Sequence, residues 1–299
     1  THFVYVNIAI VKYHGAFNRQ MSEQGSRCDR CQFWNRCSSC RKISQGRFSV
    51  KFLKTPEALR ILFQVAALAR RKERLDELAS KLSNEKGQFH PIKTDMSEEA
   101  DILNAFKWIK ENLGPIHILI NNTGTSIIGV SLHDGSTEDW QRVFQVNVMG
   151  LGIATREAIR DMRKNNVEGH IIHMNSIGGH QVFNFPRRMN VYFASKFAVT
   201  ALMETLSREL DDIKSRIKVT SVSPGVVDTE LITDTLREDP LYQNAVKEKK
   251  ILYPEDVAEC VFCILSTPPH VQVTVLFFSY VKYLQIFSYN ITITSFTVF

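Results

Sequence analysis

Residues 146–150 read V-N-V-M-G, residues 174–179 read M-N-S-I-G-G and residues 192–196 read Y-F-A-S-K. Tyr192 and Lys196 are four residues apart, so in a helix they lie on one face, one turn from each other. An ammonium group in that place can lower the pKa of a phenol, which then exchanges a proton more readily. Ser176 adds a hydroxyl that can hold a carbonyl oxygen. Together the three groups suit proton transfer in the interconversion of an alcohol and a carbonyl.

The chain around these motifs alternates apolar runs with segments of helical periodicity. The apolar runs predict strands at 65–68, 89–93, 116–121, 170–175 and 218–223. The periodic segments predict helices at 73–86, 98–112, 139–165, 191–213 and 254–266. This alternation predicts an α/β fold with a doubly wound parallel sheet. Ligands of such sheets bind at the carboxyl ends of the strands, which is where the motifs fall.

Three further motifs complete a recognisable order. They are V-A-A-L-A-R-R at 65–71, I-L-I-N-N-T-G at 118–124 and S-V-S-P-G-V-V-D-T at 221–229. With them, residues 65–272 resemble the short-chain dehydrogenase/reductase family. The resemblance implies a Rossmann-like domain over that range. It also implies a catalytic tetrad of Asn147, Ser176, Tyr192 and Lys196, in which Asn147 positions a water for the proton relay.

The cofactor can be predicted from the end of the first predicted strand. An acidic residue there binds the ribose of NAD, whereas arginines bind the additional phosphate of NADP. Arg70 and Arg71 therefore favour NADP, although the same arginines also suit a solvated start of a helix. The family resemblance implies further cofactor contacts from Asp95, Asn122, Thr123, Gly124, Tyr192, Lys196, Pro224, Gly225, Val227 and Thr229.

The resemblance also implies a function. The expected reaction is an NADP-dependent oxidation or reduction of an alcohol/carbonyl pair on a small apolar substrate. The motifs are most similar to farnesol dehydrogenase-like and 17-beta-hydroxysteroid-type members, so the substrate is expected to be an isoprenoid alcohol such as farnesol, or a steroid-like or retinoid-like molecule. The residues that select the substrate are expected to lie in 180–190 and 228–250. A homodimer or homotetramer is the expected assembly, and a catalytically impaired product that binds no cofactor is the alternative.

The charge distribution bears on nucleic-acid binding, and the cysteine content bears on the redox compartment of the protein. The net charge of +6 resides in residues 1–50, which hold eight Lys and Arg against two acidic residues. The remaining sequence is balanced, so nothing in it predicts nucleic-acid binding. Outside 28–40 the only cysteines are Cys260 and Cys263, three apart on a predicted helix and expected in the core. This usage predicts a reduced, cytoplasmic protein.

The N-terminal part departs from the family. The family opens with T-G-x-x-x-G-I-G, a turn whose backbone binds the pyrophosphate of the cofactor, and no such motif precedes residue 65. Residues 27–44 instead contain two C-x-x-C pairs, Cys28/Cys31 and Cys37/Cys40, a pattern that can bind zinc. The same segment, back-translated and read one nucleotide later, permits V-V-T-G-A-S-S-G-I-G. We favour a frame-shifted glycine loop, no specific metal site, and an aberrant segment over 1–64.

The C-terminal residues also change in composition. Residues 273–299 are rich in Phe and Tyr and carry Lys282 as their single charge. The run approaches the length of a membrane-spanning helix, but polar residues interrupt it throughout, which makes a membrane anchor the weaker interpretation. We therefore expect an aberrant tail over 273–299, outside the 65–272 domain.

Overall fold

The computed structural model describes residues 7–10, 64–85, 87–182, 189–232, 237–248 and 250–279. The strands are β1 (Asn7–Ile10), β2 (Gln64–Ala69), β3 (Gln88–Lys93), β4 (Ile118–Asn121), β5 (His170–Met174), β6 (Lys218–Pro224) and β7 (Val275–Phe278). The α-helices are α1 (Lys72–Leu82), α2 (Glu99–Asn112), α3 (Thr137–Phe144), α4 (Leu151–Lys164), α5 (Tyr192–Asp212), α6 (Pro240–Lys247) and α7 (Pro254–Leu265). The strands form one sheet in the order β3-β2-β1-β4-β5-β6-β7.

Helices cover both faces of the sheet because the buried strands are apolar on both sides. Leu119 and Ile171 point to one face, where they join the large core formed with α2, α4 and α5. Their neighbours Ile120 and Ile172 point to the other face and pack with α7. Further along that second face, α1 packs on β2 and β3 through Leu75. The α/β fold with a doubly wound sheet, predicted from the alternating pattern, is confirmed.

The central strand β1 runs against its neighbours, whereas β2–β3, β4–β5, β5–β6 and β6–β7 are all parallel pairs. Ile10, its last residue, pairs with Val65 on one side and Ile118 on the other, near the amino ends of both strands. The chain therefore leaves β1 at the edge of the sheet opposite to the carboxyl ends of β2 and β4. The sequence had predicted parallel strands only.

Two further boundaries differ from the sequence prediction. The helix predicted over 139–165 consists of α3, a π-helical turn at Gln145–Gly150, and α4. In addition, β7 extends the sheet beyond residue 272, the predicted end of the domain, by pairing with β6. The segment V-T-V-L-F-F has the β-branched and aromatic residues that favour an edge strand. Residues 280–299 lie outside the described part of the chain.

Candidate active site

The phenol of the predicted tetrad lies at the start of α5. Tyr192 is its first residue and Lys196 stands one turn later, and their side chains are 6% and 5% exposed. The Lys196 Nζ lies 5.8 Å from the centroid of the Tyr192 ring and donates a hydrogen bond of 2.9 Å to the Met174 carbonyl. The ammonium group has three N–H donors, and this bond uses one of them.

Ser176 reaches the same point from the end of β5. It begins the short 3-10 turn Ile177–Gly179, and its Oγ accepts a hydrogen bond of 3.0 Å from the Gly178 N–H. The Ser176 hydroxyl lies close enough to the Tyr192 phenol to lower the pKa of that phenol. Since the Ser176 oxygen is engaged by backbone, the hydroxyl proton is left to donate. The structure thus brings Ser176, Tyr192 and Lys196 together, as the motifs predicted.

Asn147 is held in place by the π-helical turn. Its amide exchanges two hydrogen bonds with the Thr125 backbone, of 2.8 and 2.9 Å, and donates a third of 3.0 Å to Ser195 Oγ. The turn can pack this closely because Gly150 has no Cβ, which would lie 2.1 Å from the Met96 carbonyl oxygen. Both N–H donors of the Asn147 amide are occupied, so this side chain can serve a proton relay only through the second lone pair of its oxygen.

Burial raises the pKa of the Tyr192 phenol to about 12, while its hydrogen bond with Ser176 opposes that rise. Burial also lowers the pKa of the Lys196 ammonium to about 8. Removal from water disfavours the charged form of each group, which explains the two directions. The expectation that Lys196 depresses the phenol pKa is therefore not met in this structure, since the cost of burying the phenolate is the larger effect.

The remaining predicted cofactor residues line the carboxyl edge of the sheet. Asn122, Thr123 and Gly124 follow β4, and a Cβ on Gly124 would lie 3.8 Å from Asn147 Oδ1 and 3.9 Å from Lys196 Nζ. Pro224 ends β6 and Gly225 follows it, with Val227 and Thr229 in the next loop. Asp95 follows β3, where its carboxylate accepts hydrogen bonds from the N–H and hydroxyl of Ser97.

The two predicted phosphate-binding arginines differ in their surroundings. Arg71 is paired with Glu230 at 2.5 Å, and Arg74 of α1 binds the other oxygen of the same carboxylate. Burial alone would raise the pKa of Glu230, but the hydrogen bonds from Arg71 and Arg74 lower it below its ordinary value. Arg70 is exposed and forms no ion pair with another described residue. Glu230, which the sequence did not single out, thus joins the end of β2 to the loop after β6.

The residues present fit one half of a nicotinamide dinucleotide. The buried ammonium of Lys196 has N–H donors to spare, and the Gly124 backbone beside it is open to a ribose. The pyrophosphate half does not fit. Its glycine turn should follow the central strand at the carboxyl edge of the sheet, but β1 is reversed and its chain leaves at the other edge. Residues 11–63, including Cys28, Cys31, Cys37 and Cys40, lie outside the described residues.

A buried polar group beside the site was also missed by the sequence reasoning. His173 on β5 is 1% exposed, and burial lowers its pKa to about 4, with the nearby Lys196 charge acting in the same direction. Its Nδ1 lies 3.1 Å from the Asn121 amide nitrogen, which must donate, so the imidazole is neutral. Alternation along β5 places His173 on the face toward α5, and that spacing was the available signal.

Metal-binding clusters and membrane-spanning helices are both absent from the described part of the chain. Among residues 7–10 and 64–279, excepting the gaps given above, no group of three or more His, Cys, Asp or Glu side chains could hold a metal ion. Within the same ranges no helix combines the length and the apolarity required to cross a bilayer. Cys260 is partly buried on α7, whereas Cys263 is exposed rather than in the predicted core.

Comparison with known proteins places this geometry in a family. The family model described as short chain dehydrogenase matches residues 59–240. Farnesol dehydrogenase of Aedes aegypti is 42% identical over 214 residues, which span 70% of this chain and 82% of that protein. The closed form of serine dehydrogenase complexed with NADP+ matches 71% of this chain and 83% of its own, with 28% identity and a TM-score of 0.61. A short-chain dehydrogenase/reductase from Burkholderia phymatum in complex with NAD matches 74% and 80%, with 25% identity and a TM-score of 0.61. The chain belongs to the short-chain dehydrogenase/reductase family of oxidoreductases.

Proposed function

We propose that the domain, with the glycine turn of the family restored, interconverts an alcohol and a carbonyl on a small apolar substrate with NADP(H) as cofactor. The observation that carries the proposal is the convergence of the Ser176 hydroxyl, the Tyr192 phenol and the Lys196 ammonium in one buried site. The similarity to farnesol dehydrogenase supports an isoprenoid alcohol such as farnesol, with a steroid-like or retinoid-like alcohol as the next class.

In this reaction the nicotinamide ring would supply or accept the hydride, and the protein handles the proton. Tyr192 gives its phenolic proton to the substrate oxygen during reduction and takes it back during oxidation. Ser176 donates a hydrogen bond to the same oxygen and so holds the carbonyl at the phenol. Lys196 supplies positive charge that stabilises the phenolate while the proton is away. Asn147 fixes the loop after β4 to α5 through Thr125 and Ser195.

The preference for NADP rests on Arg70 and Arg71. Arg70 is available to a 2′-phosphate, whereas Arg71 must first exchange its bond with Glu230. Removing Arg70 (Arg70→Ala) should therefore weaken binding of the phosphorylated cofactor relative to NAD, because a charge-assisted hydrogen bond is lost. The ratio of the two dissociation constants measures this, and Lys81→Ala, at the far end of α1, is a matched control. An unchanged ratio would refute the NADP preference.

The second candidate is a catalytically impaired product that binds no cofactor. The reversed β1 favours it, because the chain leaves this strand at the edge of the sheet opposite to the one where the family places the pyrophosphate turn. Titration of the chain with NADPH, followed by fluorescence, separates the candidates. Binding without turnover of farnesol would point to a faulty tetrad, whereas absence of binding would support the impaired product.

The test of the chemistry is Tyr192→Phe, which removes the phenolic proton and leaves the ring. We expect kcat to fall at least about 10²-fold, the usual contribution of a general acid or base. Tyr253→Phe removes an exposed hydroxyl outside the site and should leave kcat unchanged. Should the chain bind no cofactor, both changes are made in a version with the glycine turn restored. Near-normal turnover by Tyr192→Phe would exclude the proposed role.

We also propose a homo-oligomer, a dimer or tetramer, in the cytoplasm. Apolar side chains on and beside the helices next to the site support association, since Met149, Phe197 and Leu202 are 53%, 41% and 38% exposed. Exposed apolar side chains on neighbouring elements support a surface that a second protein covers. Neither Cys260 nor Cys263 is part of a disulfide within the described residues, which suits a reducing compartment. Substrate selection is proposed for 180–190 and 228–250, of which 183–188, 233–236 and 249 lie outside the described residues.

A further inference from the structure

The turn that carries Ser176 is tied to α5 by two hydrogen bonds in series. The Asn175 Nδ2 donates to Thr200 Oγ1 at 2.9 Å, and Thr200 Oγ1 in turn donates to the Gly179 carbonyl at 2.9 Å. The Gly179 oxygen can only accept, which fixes the direction of both protons. The Thr200 hydroxyl also lies 3.4 Å from the Lys196 carbonyl of its own helix, a longer and weaker alternative.

Thr200 stands on the same face of α5 as the reacting groups. It follows Lys196 by four residues and Tyr192 by eight, so the three side chains line one side of the helix. The Thr200 hydroxyl therefore connects the Ser176 turn to the surface that presents the phenol and the ammonium. On the other side of the turn, the Asn175 N–H donates to the Val222 carbonyl at 2.8 Å and so ties it to β6.

The contact between the turn and the helix is closer than a side chain would permit. A Cβ on Gly179 would lie 2.6 Å from the Lys196 carbonyl oxygen and 2.6 Å from Asn175 Oδ1. Asn175 is 5% exposed, and its Oδ1 has no hydrogen-bond partner among the described residues. Burying an amide whose oxygen has no hydrogen-bond partner is unfavourable. The position of the Asn175 side chain therefore depends on the bond from its Nδ2 to Thr200.

We propose that Asn175 and Thr200 are positioning residues that hold the Ser176 hydroxyl against the Tyr192 phenol. The inference rests on the proposed function, because it concerns the same proton transfer. Neither side chain touches the substrate oxygen. Their effect passes through the 3-10 turn Ile177–Gly179, in which the Gly178 N–H donates to Ser176 Oγ.

The electrostatic consequence follows from the position of Ser176. Burial raises the pKa of Tyr192, and the Ser176 hydroxyl is the group that opposes this rise. If the Thr200 link is removed, the turn is released from α5 and the Ser176 hydroxyl moves away from the phenol. The pKa of Tyr192 should then rise further, and proton transfer should slow without any change in the surface that binds the substrate.

The experiment compares Thr200→Val, which keeps the shape and removes the hydroxyl, with Thr200→Ser, which keeps the hydroxyl. We expect Thr200→Val to lower kcat roughly tenfold or more with KM nearly unchanged, since a small misplacement of a reacting group has effects of up to ~10²-fold. The alkaline limb of its kcat profile should move to higher pH. Thr200→Ser should restore both values, and Thr205→Val, at an exposed threonine of the same helix, should change neither.

A readout that needs no turnover separates this inference from the proposed function. Amide hydrogen exchange at Gly178 and Gly179 should accelerate in Thr200→Val, because both N–H groups bond within the Ser176 turn, and should stay slow in Thr200→Ser. If the parent chain is inactive, the proposed function is refuted, but the exchange data still test whether Thr200 holds the Ser176 turn. Unchanged exchange at these glycines in Thr200→Val, or wild-type kcat and pH profile in that variant, would overturn the inference.

Discussion

Replacing Gly150 by alanine should destabilise the domain, although alanine is the better helix former. Gly150 has helical backbone angles of φ −60° and ψ −41°, so the conformation itself would favour alanine by about 0.5–1 kcal/mol. The new Cβ, however, would lie 2.1 Å from the Met96 carbonyl oxygen and 3.1 Å from the Met96 carbonyl carbon. Backbone must move by about 1 Å to relieve that overlap, and overpacking of this kind costs about 1–3 kcal/mol.

The backbone near Met96 has little freedom to move. Gln145 of the π-helical turn donates to the Ser97 carbonyl at 3.0 Å, and Asp95 binds the Ser97 N–H at 2.9 Å. We therefore take the upper part of the overpacking range and expect a net loss of about 2 kcal/mol. Gly152→Ala is the matched control, because nothing lies within 4 Å of its Cβ position, and it should gain about 0.5–1 kcal/mol.

Urea unfolding of the two variants and the parent provides the measurement, since the midpoint reports stability when the slope is unchanged. The midpoint should fall for Gly150→Ala and rise for Gly152→Ala. The displacement should also loosen Asn147, three residues earlier in the same turn. A Gly150→Ala protein as stable as the parent would refute the argument, as would equal destabilisation by both substitutions, which would show that the overlap with Met96 is not the cause.

Three further outcomes are expected. NADPH titrated into the chain should show no low-micromolar binding by fluorescence, because the chain leaves the reversed β1 at the edge of the sheet opposite to the carboxyl ends of β2 and β4; tight binding would contradict this. Stability should fall between about pH 7 and pH 5, since burial lowers the pKa of His170 to about 3 and of His173 to about 4. The unfolded chain takes up those protons near pH 6.5, so each histidine should remove about 2 kcal/mol at about pH 5; His170→Gln should flatten the dependence, and a flat profile in the parent would exclude it. Phe197→Glu should lower the mass measured by light scattering to that of the monomer, with Lys214→Glu as control; an unchanged mass would place the interface elsewhere.

The tetrad was predictable because its spacing is local. Tyr192 and Lys196 share a helix face by periodicity alone, and Ser176 follows a strand whose apolar run is evident. The partner of Arg71 was not predictable, because Glu230 lies in a distant loop and meets it only in the folded chain. The tie between Asn175 and Thr200 was missed for the same reason.

The elements that the sequence misjudged are those set by tertiary context. The π-helical turn at Gln145–Gly150 arises where Gly150 meets the Met96 backbone, a contact that no periodicity records. Likewise, N-I-A-I at Asn7–Ile10 becomes a strand in the gap between β2 and β4, which both present unpaired backbone there. Hydrogen-bonding groups in such a gap can be satisfied by a strand of either direction, so composition could not fix the orientation.

The short central strand also divides the sheet into two parts. β1 has four residues, whereas β2 and β3 pair over six. Apart from β1, the unit formed by β2, β3 and α1 is held by apolar packing of Ala66 and Leu68 and by the ion pairs to Glu230. Local opening of this unit should therefore require less free energy than global unfolding. Because this unit carries Arg70 while α5 carries the phenol, the residues proposed for recognition of the nucleotide and for proton transfer lie in parts of the protein that should differ in local stability.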